Sequence, residues 1–114
     1  MKYFYLLFTA LFCGFLHAQI INFPDANFKA KLLQANAING IALNTNEGSV
    51  AIDVNVNGEI EVSEVQGIKS LNLSNSGIVD LSGISNFASL KWLRCANNLL
   101  TEITIDDSIL IESL

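Results

Sequence analysis

The chain has 114 residues, enough for one small domain with a single core. Eleven acids stand against six bases, a formal charge of −5, and the bases form no cluster. Phosphate neutralisation supplies most nucleic-acid affinity, so this balance argues against a nucleic-acid partner.

At the N-terminus, Lys2 precedes an apolar stretch from Phe4 to Leu16, and Ala18 is a small residue suited to signal-peptidase cleavage. Residues 1–18 are predicted to be a signal peptide, with the product exported and either secreted or held at the cell surface. The alternative is a membrane anchor, but a span needs roughly 20 apolar residues, and this run is shorter and ends in His17, Ala18 and Gln19. After cleavage no membrane insertion is expected. His17, Tyr3, Tyr5 and Cys13 leave with the segment, so the remainder has no His or Tyr and carries five bases against eleven acids, a formal charge of −6. Cys95 is then the one cysteine, which forbids an internal disulfide. With no His to activate it, it reads as a small buried hydrophobe rather than a nucleophile.

Residues 19–67 are predicted to form an N-terminal cap. Pro24 and Asp25 suit a helix start, and Phe28, Leu32 and Ala35 follow at i, i+4 and i+7, which gives an amphipathic helix over about 22–36. The stretch from Ala37 to Gly67 is rich in Asn and Gly and reads as loops, with a short helix over Ser63–Gln66 stopped by Gly67.

Within it, residues 53–64 read DVNVNGEIEVSE and fit the calcium-loop pattern D-x-[DN]-x-[DN]-G-x5-E at every fixed position. Asp53, Asn55 and Asn57 would supply side-chain oxygens, Glu59 its carbonyl, Glu61 a direct or water-mediated contact, and Glu64 a bidentate carboxylate. Gly58 allows the sharp turn, and Ile60 would tie the loop to the core. The expected cofactor is calcium, bound weakly and structurally, because Asn at the third and fifth positions leaves few charges. The alternative is a loop that keeps its shape through Asx turns without metal.

From Ile68 the texture changes. Residues 68–89 and 90–110 align column by column: Ile68 with Leu90, Leu71 with Leu93, Leu73 with Cys95, Ser76 with Asn98, Ile78 with Leu100, Leu81 with Ile103. The spacing is 22 residues, and Ile111 to Leu114 repeat the opening of LKWL after 21. The columns spell L-x-x-L-x-L-x-x-N-x-L, the period of a leucine-rich repeat. The expected fold is therefore an α/β solenoid, a leucine-rich repeat with an N-terminal helical cap, truncated after about two repeats with a third beginning at 111. Such a short solenoid would expose apolar surface at its C-terminal end and associate or melt easily.

NFPDANFKAKLL, the loop DVNVNGEIEVSE and the stretch NLSNSGIVDLSGISNF together resemble the N-terminal part of exported leucine-rich-repeat proteins of Bacteroidetes bacteria, similar in repeat type to internalins. Ser76 departs from the turn Asn of that pattern. The resemblance implies a binding role without naming what is bound.

In such a strand the residues between the buried leucines point to the concave face. Ser70, Asn72 and Ser74 would then lie beside Trp92, Arg94 and Ala96. Trp92 and Arg94 are favoured anchors for a protein or glycan partner, though Trp92 could instead pack beneath an adjacent loop. The expected function is a non-catalytic exported recognition module. The alternative is a structural cap or fragment of a larger cell-surface protein. An enzyme is disfavoured, because the acid pairs Glu59/Glu61 and Asp106/Asp107 fall in a metal-type loop and a turn rather than facing each other across a cleft.

Overall fold

The computed structural model describes residues 19–103, 105 and 108–112. The expected signal peptide, Asp106, Asp107 and the last two residues lie outside them.

Helix α1 spans Ala26–Leu33. Asp25 caps it by accepting the N–H groups of Asn27 at 2.8 Å and Phe28 at 3.1 Å, which satisfies two donors that a helix start leaves without intrahelical partners. Phe28 and Leu32 are buried as the helical spacing requires, Ala35 is buried just past the helix end, and Phe28 meets Phe23 edge to face with ring centroids 5.1 Å apart.

The Asn-rich stretch that follows is held by its own side chains. Asn36 Oδ1 accepts from the N–H groups of Ile38 and Asn39, both at 2.8 Å, and Asn44 Oδ1 accepts from those of Asn46 and Gly48. Between these turns runs strand β1, Ala42–Asn44. Helix α2, Val62–Val65, then leads into strand β2, Ile68–Asn72. A 3₁₀ turn at Ile84–Asn86 precedes strand β3, Trp92–Arg94, and strand β4 covers Leu110–Glu112.

The four strands form one sheet in the order β1-β2-β3-β4. β1 runs antiparallel to β2, with a register shift between Leu43 and Asn44. β2 and β3 are parallel, pairing Ser70 with Trp92, Leu71 with Leu93 and Asn72 with Arg94. β3 and β4 are also parallel, pairing Trp92 with Leu110, Leu93 with Ile111 and Arg94 with Glu112.

These pairings correct the expected leucine-rich-repeat solenoid. The molecule is a small compact α/β domain on one mixed four-stranded sheet with few helices, and a single apolar cluster runs from Ile21 to Leu93 across helix, loops and sheet. Two physical causes stand out. The Asn-rich segment, which shows no apolar period, doubles back and adds its strand antiparallel, which stacked parallel coils would not do. The periodicity also does not persist, because Leu93 pairs with Ile111 and so the expected alignment of Ile111 with Leu90 slips by three residues. The 22-residue offset is kept for one step only, from Leu71 to Leu93. Leu71, Leu73, Ile78, Leu81, Leu90 and Leu93 are buried as the columns suggested, but inside one shared core.

Asn98 brackets the crossover between β2 and β3. Its Oδ1 accepts the N–H groups of Ser76 and Ile78, both at 3.0 Å, and its Nδ2 donates to the carbonyls of Leu73 at 2.7 Å and Cys95 at 3.0 Å. Cys95 is itself buried, and burial pushes its thiol pKa up.

Candidate functional site

Strand alternation sends Leu71 and Leu93 into the core and leaves Ser70, Asn72, Trp92 and Arg94 on the other face. The parallel register sets Ser70 beside Trp92 and Asn72 beside Arg94. Together these four line a groove of about 260 Å³. Trp92 is 41% exposed whereas its chain neighbour Leu93 is fully buried, so the indole stands in the groove rather than beneath a loop.

The antiparallel β1 builds the facing wall. Gly40, Leu43, Asn44, Glu47 and Lys69 complete the lining, with Lys69 Nζ 3.9 Å from Glu47 Oε1. Nothing in the sequence marked these five residues, since the wall depends on the Asn-rich segment folding back on β2. Of the expected partner-binding residues, Ser74 alone lies off the groove. Its N–H donates to Asn72 Oδ1 at 3.2 Å and its carbonyl accepts from the Ser76 hydroxyl, so it serves the turn that leaves β2.

The loop at 53–64 is a second candidate. Asp53 accepts the N–H groups of Asn57 at 3.2 Å and Gly58 at 2.9 Å, and Glu64 accepts those of Val54 and Glu61, both at 2.9 Å. Glu61 is buried at 7% exposure, and its carboxylate receives the side-chain amides of Asn55 at 2.7 Å and Asn57 at 3.3 Å. Glu59 turns its carboxylate outward to an ion pair with Lys29 on α1. Ile60 is fully buried and anchors the loop. Two backbone positions are left-handed, Gly58 at φ 78° and Val56 at φ 55°, and the second is strained because a β-branched side chain clashes there.

Loop residues 53, 55, 57, 61 and 64 are thus tied into one hydrogen-bonded knot. The oxygens a cation would need are there, but the amides of Asn55 and Asn57 direct nitrogen, not oxygen, at Glu61. Among the described residues no group of three or more His, Cys, Asp or Glu side chains stands close enough to hold a metal ion. A cation would have to replace the bonds of the Asn55 and Asn57 amides to Glu61, while Asp53 and Glu64 keep lone pairs beyond the N–H bonds they accept.

Set against protein-family models, curated proteins and solved structures, the chain matches none. The resemblance to exported leucine-rich-repeat proteins rests on the quoted motifs alone. No helix among the described residues is long and apolar enough to cross a membrane.

Proposed function

We propose that the chain is an exported, non-catalytic recognition module that takes a protein or glycan partner in the groove of Ser70, Asn72, Trp92 and Arg94. The observation that carries this reading is the exposed indole of Trp92 on β3, beside β2, two strands whose inward Leu71 and Leu93 are fully buried. Large aromatics on an open sheet face, ringed by amides, hydroxyls and charges, are the usual anchors of binding sites. The test is a comparison of the wild-type chain with Trp92→Ala and Arg94→Ala on protein and glycan arrays. Hits that vanish in both variants while the melting temperature stays within a few degrees support the groove. Hits that persist in both place recognition elsewhere.

A second reading concerns the loop, and its fit to the calcium-loop spacing at every fixed position favours it. A calcium ion held by Asp53, Asn55, Asn57, the Glu59 carbonyl, Glu61 and Glu64 would stabilise the fold by binding only the folded state. With three carboxylates among its ligands the site would be of the weak extracellular type, with Kd on the order of 10⁻⁴ to 10⁻³ M. Calorimetry with calcium and melting with a chelator decide it. Neither heat nor a melting shift at millimolar calcium would sink the site.

A further inference from the structure

The groove is selective in what it leaves without a partner. Among the described residues the Ser70 hydroxyl, the Asn72 side-chain nitrogen and the Trp92 indole N–H make no hydrogen bond within the protein, while Asn72 Oδ1 is committed to Ser74. Its charges, by contrast, are already answered: Lys69 stands 3.9 Å from Glu47, and Arg94 has an interaction of its own. The surrounding protein, at −6 beyond residue 18, repels anions at long range.

Resting on the recognition reading above, we propose that the groove binds a neutral pyranose glycan. A sugar ring offers an apolar C–H face to an indole and a rim of hydroxyls that both donate and accept. Those hydroxyls can accept from Asn72 Nδ2 and the indole N–H, exchange a bond with Ser70, and donate to the exposed Glu47 carboxylate. An anionic ligand would meet the Glu47 carboxylate beside Lys69 and approach an acidic molecule. A peptide laid across the face would find no backbone to pair with, because the N–H and C=O groups of β2 and β3 are committed to their ladder, and only Leu43 and Trp92 offer apolar contact. The groove's size, about 260 Å³, suits one or two sugar units rather than a large side-chain anchor.

Trp92 is the chain's one tryptophan, so its emission reports on the groove alone. The exported chain is titrated with short cello-, malto-, manno-, xylo- and chito-oligosaccharides, with oligogalacturonates, and with mixed acidic, basic and neutral peptides. At least one neutral series is expected to shift the emission saturably and equally at low and high salt, with Ser70→Ala weakening it at an unchanged melting temperature and Asn72→Ala weakening it about tenfold at a melting temperature lowered only by the lost bond to Ser74. A response confined to oligogalacturonates and abolished by salt overturns the neutral-glycan inference. A response to peptides with all sugars silent overturns the glycan and keeps the recognition reading, and silence throughout overturns both. Sugar binding that is indifferent to both Asn72→Ala and Ser70→Ala also overturns the proposed contacts.

Discussion

Asp25 Oδ2, at the start of α1, accepts the backbone N–H of Val79 at 2.7 Å across 54 residues of chain. The same oxygen accepts from Asp80 at 2.9 Å, while Oδ1 caps the helix, so one carboxylate fastens α1 to the crossover that follows β2. Partial burial pushes its pKa up, but the N–H groups of Val79, Asp80, Phe28 and Asn27 outweigh that and hold it below the ordinary aspartate value.

A pH dependence follows with a definite sign. Because the folded pKa is depressed, the contribution of Asp25 is fully present above the unfolded value of about 3.9 and is lost as pH falls through the lower folded value. Asp25→Ala should cost about 2 kcal/mol near neutrality, as a lost cap plus two N–H donors returned to water. Urea unfolding at pH 7 and at successively lower pH checks this, since the gap between wild type and variant should narrow as the carboxylate protonates.

Asn98 should resist its nearest substitute. Asp at this position keeps both acceptor bonds to Ser76 and Ile78 but sets a carboxylate against the carbonyls of Leu73 and Cys95. Asn98→Asp is expected to destabilise by about 2–3 kcal/mol and to lose less at low pH, where the protonated acid can donate again. Unfolding midpoints at two pH values measure both effects.

Trp92 and Leu93 are neighbours in the chain and opposites in the fold. Leu93→Ala empties a fully buried position and should cost about 2–5 kcal/mol. Trp92→Ala removes a half-exposed ring and should cost less than about 1.5 kcal/mol. Parallel thermal melts give the comparison, and a larger loss at Trp92 would place the indole in the core.

Valine at φ 55° and 83% exposure has no packing to justify its strain. Val56→Gly should therefore stabilise the chain by about 0.5–1 kcal/mol, the relief of a left-handed β-branched residue exceeding the added freedom of the unfolded glycine. Chemical denaturation reads the change directly.

How far the sequence could be read depended on whether a residue's role was local. Phe28 and Leu32 announce a buried helix face because their spacing reports their own geometry, and Asp25 announces a cap for the same reason. Leu71 and Leu93 likewise announce two paired strands. The repeat of six columns, however, fixes only the relation between neighbours. It says nothing of how Ala42–Asn44, a three-residue strand without an apolar period, will join the sheet, and that strand makes the sheet mixed. Ser70, Asn72, Trp92 and Arg94 were legible as one face of two strands. Gly40, Asn44 and Glu47 were not, because their place in the groove depends on pairing between distant segments. In the loop at 53–64 the spacing marked the polar residues that the fold ties together, whereas the direction of the Asn55 and Asn57 amides depends on the buried Glu61.

The two flanks of the sheet differ in one further respect. On its outer side β1 is closed by its own hairpin, with Asn44 N–H donating to the Gly48 carbonyl at 2.9 Å and Val50 N–H to that of Ala42 at 3.0 Å. β4, at the other flank, pairs among the described residues with β3 alone, and Leu110 and Ile111 are exposed along it. Lateral growth of the sheet is thereby polar. One flank meets its hydrogen bonds within its own hairpin, whereas among the described residues the sheet ends on the other side at the outer edge of β4.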